Sequence, residues 1–294
     1  MIRILDLNFI DIEPPVLEPG SPGATVWNDG ANGPVAFGAT RDEWHWLRLV
    51  GAGTFRFPVT SPASTISADV IPEPGVRREL VVDTYYRSIV PLALQAYGFE
   101  ALHGSAVAVS GGVVALCADR ETGKSTIAYA LQRRGHDVVA DDSVVLTVPH
   151  AAEGACVTVH PLPFALRLRG PTADHFDVQE RRAATVDKTT FRPLGESLNL
   201  SAIVLLAKSD TGTAVQLARL GANEAFSAVL AQAHAFTLDH GDRKRAMMRS
   251  FLRLVDRVPV YRLTYPTGLE YLDGICEQVE SVAATSALHL SVGV

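Results

Sequence analysis

Residues 113–142 read VVALCADRETGKSTIAYALQRRGHDVVADD and contain four segments with different patterns. The apolar run Val113 to Ala118 predicts a buried strand, and the polar loop after it leads into a helix over Ser125 to Arg134. Gly135 is typical of a helix end, and Asp137 to Ala140 predicts a second strand. The order strand, loop, helix, strand indicates an α/β fold.

Further elements are predicted on both sides of this unit. Strands are expected at Ser105 to Val109, Val144 to Val148, Ala165 to Arg169, Ala202 to Ala207, Val215 to Leu220 and Val260 to Thr264. Helices are expected at Leu80 to Tyr97 with a kink at Pro91, and at Glu224 to Phe236, Asp242 to Val255 and Leu269 to Ala283.

The first eighty or so residues have a different character. They are rich in Pro, Gly, Thr and aromatic residues, and the pieces 44–50 and 53–57 alternate at period two. We therefore predict two parts, a small β-rich N-terminal region at residues 1–78 and an α/β domain at residues 79–294.

Composition excludes several classes of protein. The net charge is −6, with no long basic block, so a nucleic acid is not expected as a partner. No apolar run resembles a signal peptide or is long enough to span a bilayer, so a cytoplasmic protein without membrane contact is expected. The 3 cysteines lack a CxxC spacing, and we interpret them as buried free thiols.

The loop in the 113–142 stretch resembles a phosphate-binding motif. Residues 118–125, here called the phosphate loop, match GxxxxGK[ST] except that Ala118 stands at the first glycine. Gly123 lets backbone N–H groups curl around a phosphate, Lys124 can reach the β and γ phosphates, and the Ser125 hydroxyl can bind Mg²⁺. With the flanking Thr122 and Thr126, these residues predict an ATP and Mg²⁺ site. The alternative is an ordinary solvated helix start, which the strand and helix around the motif disfavour.

Two carboxylates follow the second strand of the unit. Asp141 and Asp142 are expected at the C-terminal edge of the strand neighbouring the phosphate-loop strand, where P-loop proteins hold Mg²⁺. One can serve as a metal ligand and one as base for a substrate hydroxyl, and which aspartate has which role stays open. Ser125 and Asp142 are the candidate metal ligands. The alternative is a strand-ending turn that the pair merely caps. His103, just before a predicted strand, would by itself be a structural histidine.

Four motifs together resemble the HPr kinase/phosphorylase family in order and spacing: Leu102-His103-Gly104-Ser105-Ala106-Val107, the phosphate loop, Gln132-Arg133-Arg134-Gly135-His136 and Val139-Ala140-Asp141-Asp142-Ser143-Val144. The resemblance is good over residues 101–170 and weaker over 187–206. The N-terminal region does not match the family's regulatory domain, which suggests a divergent member similar to kinases of lasso-peptide gene clusters.

The resemblance implies an HPr-kinase-like P-loop kinase core that phosphorylates a serine of a protein or peptide. It implies that Lys124 and Ser125 hold the phosphates and Mg²⁺, that Asp141 or Asp142 activates the hydroxyl, and that His103 supports that carboxylate. A homo-oligomer is also implied.

Departures from the family pattern and a second basic segment complete the candidate site. Arg167 stands where the family has a metal-linked glutamate, which argues against phosphorylase chemistry. Arg167 and Arg169 are candidates for binding an anion or for the surface of a strand. Lys188 and Arg192 are predicted to approach the phosphates from a loop.

Three functions are consistent with these residues. The first is a kinase acting on a serine of a peptide or small protein. The second is a kinase acting on a small molecule, because a phosphate loop specifies the donor and not the acceptor. The third is a nucleotide-binding module that has lost catalysis, for which Ala118 and Arg167 are the indications.

Overall fold

The computed structural model describes most of the chain. The described residues are 3–4, 7–18, 25–28, 34–60, 65–110, 112–119, 121–150, 156–162, 166, 168, 170–176, 198–234 and 241–291. The chain divides into two compact units, which are residues Met1–Phe99 with Ala235–Met247, and residues Glu100–His234 with Met248–Val294. The first unit thus continues past residue 78, and the domain boundary predicted there stays a prediction.

The first unit contains two small sheets. Six strands lie in the order β2-β8-β6-β5-β4-β3, and β1 pairs with β7. The alternating pieces predicted at 44–50 and 53–57 are the hairpin β5 and β6, and the side chains of Phe37, Trp46 and Leu17 pack into a core. The strands are β1 Arg3–Ile4, β2 Asn8–Phe9, β3 Thr25–Asn28, β4 Pro34–Arg41, β5 Trp44–Leu49, β6 Gly53–Pro58, β7 Thr65–Ile66 and β8 Asp69–Pro72.

The helix predicted at Leu80 to Tyr97 is three consecutive helical segments. They are α1 at Arg78–Thr84, a π-helical turn at Tyr85–Ile89 and α2 at Val90–Ala96. The irregularity predicted at Pro91 lies just before that residue, in this π-helical turn, and Pro91 itself stands in the first turn of α2, where a residue without an N–H is tolerated.

Arg243 closes the C-terminal end of α2. Its guanidinium donates hydrogen bonds to the carbonyls of Gln95 at 2.8 Å and Phe99 at 2.7 Å. The Gln95 carbonyl also accepts a hydrogen bond from the amide of Gly98 at 3.1 Å, and a cation beside carbonyls at a helix C-terminus is favourable. Arg243 is therefore bound to the backbone of its own unit.

The second unit is built on eight strands. A central row has the order β11-β9-β10-β14-β16-β15, in which β10, β14 and β16 are parallel. β9 and β14 are long. The first half of β9 pairs with β12, β12 pairs with β13, and β13 pairs with the start of β14, and each of these pairs is antiparallel. The strands are β9 Glu100–Val109, β10 Gly112–Cys117, β11 Asp137–Ala140, β12 Ser143–Thr147, β13 Thr158–His160, β14 Leu198–Ser209, β15 Gln216–Arg219 and β16 Val260–Pro266.

Helices pack on this sheet through apolar side chains. Ile127 and Leu131 of α3 and Ile275 and Val279 of α7 are buried in one cluster with Val114 and its strand neighbours. The remaining helices are α3 Lys124–Arg133, α4 Gly170–His175, α5 Ala222–Leu230, α6 Gly241–Arg257, a 3-10 turn at Leu269–Tyr271 and α7 Leu272–Ser291. No helix within the described residues is both long and apolar enough to cross a membrane.

Some predicted features differ from the structure. β13 and α4 were not predicted, and the strand expected at Ala165 to Arg169 lies mostly outside the described residues. Cys117 and Cys276 are buried free thiols as expected, and burial raises the pKa of each to about 12. Cys156 is exposed, so the prediction that all the cysteines are buried was wrong.

An ion pair joins the end of α3 to α7. Arg134 donates two hydrogen bonds of 2.9 Å to the Glu280 carboxylate, and His136 Nε2 lies 2.9 Å from the same group. The hydrogen bonds from Arg134 are the main cause that lowers the pKa of Glu280 from 4.5 to about 2.

This pKa predicts the acid dependence of stability. A carboxylate with a lowered pKa stabilises the fold above its unfolded pKa, and this contribution is lost as the pH falls toward the folded pKa of about 2. Glu280→Gln should therefore lower the urea midpoint at pH 7, and the difference from wild type should shrink below about pH 4.5. Glu277→Gln, on an exposed position of the same helix, is the control and should leave the midpoint unchanged. A difference that is equal at pH 7 and pH 3.5 would contradict the assignment.

Candidate functional site

The phosphate loop connects the end of β10 to the first turn of α3. Gly123, immediately before the helix, has φ of +110°, and Glu121 has φ of +67°. Ala118 is buried and is not among the described residues with positive φ. The glycine that the motif lacks is therefore not needed for backbone conformation, and among the loop residues that the structure describes the strained non-glycine residue is Glu121.

This geometry predicts opposite effects for two glycine substitutions. Ala118→Gly should leave nucleotide affinity unchanged and lower thermal stability slightly, because it only adds freedom to the unfolded chain. Glu121→Gly should be neutral or stabilising, because it relieves a left-handed residue. Thermal unfolding of both variants, with and without nucleotide, checks the assignment. A gain in affinity from Ala118→Gly would contradict it.

Lys124 holds the loop together from inside. Its side chain is 8% exposed, and Nζ donates hydrogen bonds to the carbonyls of Ala118 at 2.8 Å and Asp119 at 3.0 Å. The ammonium group lies at the N-terminus of α3, and its positive charge suits the binding of a phosphate there. Lys124 thus has a structural contact in the loop as well as its predicted role with phosphate.

Two side chains that the sequence analysis missed hold the loop from outside. Tyr265, at the end of β16, donates a 2.7 Å hydrogen bond to the carbonyl of Thr122, and Lys208, at the end of β14, donates one of 2.8 Å to the carbonyl of Glu121. Burial raises the pKa of Tyr265, which keeps its hydroxyl protonated as a donor. The ends of parallel strands meet at one edge of the sheet, but no local motif marks these two residues.

Asp141 is hydrogen-bonded to the helix that follows the loop. The Ser125 hydroxyl donates to its carboxylate at 3.1 and 3.2 Å, and the buried Ser105 hydroxyl of β9 donates at 2.6 Å. β11 pairs with β9, which separates it from β10, so the prediction that the acidic pair ends the strand next to the phosphate-loop strand was wrong. The Asp141 carboxylate still reaches Ser125, because the residue of β9 that lies beside it, Ser105, is small.

Gly104 allows β9 to approach the loop strand. It lies opposite Cys117, and a Cβ atom on it would stand 2.6 Å from the carbonyl oxygen of Leu116. A side chain there would push β9 away from β10 at the point where the loop begins. The His-Gly-Ser run of the sequence thus combines a close backbone approach with Ser105, which binds Asp141.

Asp142 has an unusual backbone conformation beside His103. Its φ is +65°, and its carbonyl accepts a 3.1 Å hydrogen bond from His103 Nδ1. A carbonyl only accepts, so this contact requires a proton on Nδ1. His103 therefore supports Asp142 through the backbone and holds it in a strained turn.

The remaining predicted residues divide into two groups. Thr126 contacts the hydroxyl of Thr172 in α4 at 3.2 Å, which links the first turn of α3 to that helix. The other group lies outside the described residues and comprises Arg167, Arg169, Lys188 and Arg192.

The donor set at the loop fits Mg²⁺ bound together with a phosphate. In the described part of the chain, no three His, Cys, Asp or Glu side chains are grouped to hold a metal ion by themselves. Mg²⁺ in nucleotide sites needs few protein ligands, because waters and phosphate oxygens complete its octahedron. The hydroxyl of Ser125 and the carboxylate of Asp141, which are hydrogen-bonded to each other, could supply these few ligands. Asp142 was the candidate metal ligand expected beside Ser125, with the roles of the two aspartates left open, and in the structure Asp141 accepts the hydrogen bond from the Ser125 hydroxyl.

Comparison with known proteins gives a distant structural match. No protein-family model and no curated protein match this sequence. Among solved structures, the Hpr(Ser) kinase/phosphatase from Coxiella burnetii is matched with 12% identity and a TM-score of 0.34, over 65% of this chain and 98% of that one. A match this distant leaves the chemistry of the site to be argued from its own side chains.

Proposed function

We propose that this protein is an ATP-dependent kinase of the HPr-kinase-like type that transfers the γ-phosphoryl group to a serine hydroxyl of a peptide or small protein. The hydrogen bond between Ser125 and Asp141 is the observation that carries the proposal. It joins the phosphate loop to the acidic pair. Groups suited to bind the phosphate donor, ATP, therefore lie beside groups suited to activate the hydroxyl that accepts the phosphate.

The nucleotide side of the site consists of the phosphate loop and Asp141. Gly123, Lys124 and the first turn of α3 would hold the phosphates, and Ser125 with Asp141 would hold Mg²⁺. When bound, the metal neutralises charge on the phosphate oxygens. Ser105, which binds the same carboxylate, keeps Asp141 directed at Ser125.

Asp142 is proposed as the base on the acceptor side. It directly follows Asp141, and its backbone is held by His103 Nδ1 and, more weakly, by the amide of Gly104 at 3.4 Å. A neutral hydroxyl becomes a better nucleophile when a carboxylate takes its proton as the bond to phosphorus forms. This division assigns different roles to the two aspartates.

The peptide acceptor is supported by the sequence resemblance through His103, the phosphate loop and the acidic pair. Those motifs are typical of kinases that phosphorylate a serine on another polypeptide. Precursor peptides of ribosomally made natural products, such as lasso peptides, are therefore the first acceptors to test. A small-molecule hydroxyl would need the same base and the same donor site.

A mass-spectrometric assay tests the proposal. The protein is incubated with Mg-ATP and the peptides encoded beside its gene, and one added phosphate is expected on a peptide, lost when the acceptor serine is changed to alanine. Phosphate found only on a free metabolite would favour a small-molecule kinase. ATP binding with no phosphorylated product would indicate a nucleotide-binding module.

A further inference from the structure

A short segment at Gln232–His234 lies along β9 beside the site. The amide of His103 donates a 2.7 Å hydrogen bond to the carbonyl of Gln232, and the amide of His234 donates one of 2.9 Å to the carbonyl of Ala101. Leu102 and Ala233 form an antiparallel bridge between these bonds. Since β12 pairs with the same part of β9, the strand that carries His103 is held by hydrogen bonds on both edges.

The side chains of this segment contact both halves of the site. His234 Nε2 lies 3.2 Å from the hydroxyl of Ser143, the residue after Asp142, and its ring meets the His103 ring edge to face with centroids 5.8 Å apart. Gln232 Nε2 donates a long, 3.4 Å hydrogen bond to the Asp119 carboxylate of the phosphate loop. Burial lowers the pKa of His234, which favours the neutral form of its ring.

We propose that His234 is a positioning residue that sets the orientation of His103 and the strained turn at Asp142, and so places the proposed base. The inference rests on the proposed function for its effect on rate. His103 packs against the His234 ring on one side and bonds to the Asp142 carbonyl through Nδ1. The Ser143 hydroxyl anchors the other end of the same turn to His234.

The physical reason is the conformation of Asp142. A non-glycine residue with φ of +65° persists only where its neighbours hold it. Two of the contacts around this turn lead to His234, one through His103 and one through Ser143. Loss of them lets Asp142 relax, and a small displacement of a base lowers the rate of transfer without touching the phosphates.

Three substitutions separate the contacts of His234. His234→Ala removes both, His234→Phe keeps a ring against His103, and His234→Gln keeps a polar group for Ser143. We expect kcat to fall roughly 10- to 100-fold in His234→Ala, with partial recovery in the other two, while KM for ATP stays within about twofold of wild type. A wild-type kcat in His234→Ala, or a rise in KM without a fall in kcat, would overturn the proposal.

His160→Phe is the matched control. His160 Nε2 also contacts a hydroxyl, that of Thr147 at 2.7 Å, but on the β12–β13 pair, and its loss should leave kcat unchanged. Equal losses in the two variants would mean that His234 is merely structural.

An NMR measurement tests the positioning role of His234 without any measurement of kinase activity. The amide resonances of Gly104 and Asp142 should shift in His234→Ala and stay in place in His160→Phe. If wild type transfers no phosphate, the proposed function fails, and these shifts still decide whether His234 positions the turn. Unshifted resonances in folded His234→Ala would overturn the inference by themselves.

Discussion

Asparagine in place of Asp142 should reduce the rate of phosphoryl transfer by roughly 10²- to 10⁴-fold, with nucleotide affinity nearly unchanged. The substitution keeps the size of the side chain and much of its hydrogen bonding but removes the charge that would take the hydroxyl proton. Because His103 binds the backbone carbonyl of Asp142, the turn should survive the change. Single-turnover kinetics and nucleotide titration measure the two quantities separately.

Asp141→Asn is the matched comparison, one residue away. Asp141 accepts hydrogen bonds from Ser125 and Ser105, so its neutral variant should require more Mg²⁺ for the same rate. Rate against Mg²⁺ concentration separates the two variants. A raised Mg²⁺ requirement in Asp142→Asn, with Asp141→Asn unaffected, would reverse the assignment. Wild-type rates in both would refute the paired-carboxylate mechanism.

Methionine in place of Lys124 should abolish ATP turnover. The variant retains an unbranched chain at a position that is 8% exposed, but it removes the cation from the phosphate loop. It also leaves the carbonyls of Ala118 and Asp119 without this donor, so a moderate loss of thermal stability is expected with it. ADP formation and thermal unfolding, measured on one preparation, check both effects.

Lys208→Met is the comparison for this lysine. Lys208 contacts the same loop from outside, at the carbonyl of Glu121, and its loss should weaken nucleotide binding only severalfold. Normal ADP formation by folded Lys124→Met would refute the phosphate-site assignment.

The local elements of the core were predictable because their signals lie within short stretches. The strand predicted at Val113 to Ala118, the helix predicted at Ser125 to Arg134 and the strand predicted at Asp137 to Ala140 have boundaries that differ from the structure by one residue at most. Ser125 and the acidic pair were chosen from their positions next to such elements, whereas His103 became a candidate only through the resemblance to the kinase family. Ser125 provides a hydroxyl at the start of a helix, and Asp141 and Asp142 provide carboxylates at the end of a strand. These groups are suited to binding Mg²⁺ and to taking a proton from a hydroxyl.

The partners of these residues were not predictable, because pairing between distant strands decides them. β9 lies between β10 and β11, and this order brings Ser105 to Asp141 and allows Asp141, not Asp142, to reach Ser125. β14 and β16 deliver Lys208 and Tyr265 to the loop from positions more than 80 residues away in sequence.

The amino-acid sequence alone indicated that a phosphate loop follows one strand of an α/β core and that two carboxylates follow the next strand along the chain, because periodicity and short motifs are local properties of the chain. Only the tertiary structure decided that Asp141 is hydrogen-bonded to Ser125, that Asp142 has a positive φ and that the ring of His234 packs against His103. The reason is physical. Hydrogen bonds between strands bring together residues that no sequence spacing connects. A shift of one residue in the register of β11 against β9 would turn Asp142 instead of Asp141 toward Ser125.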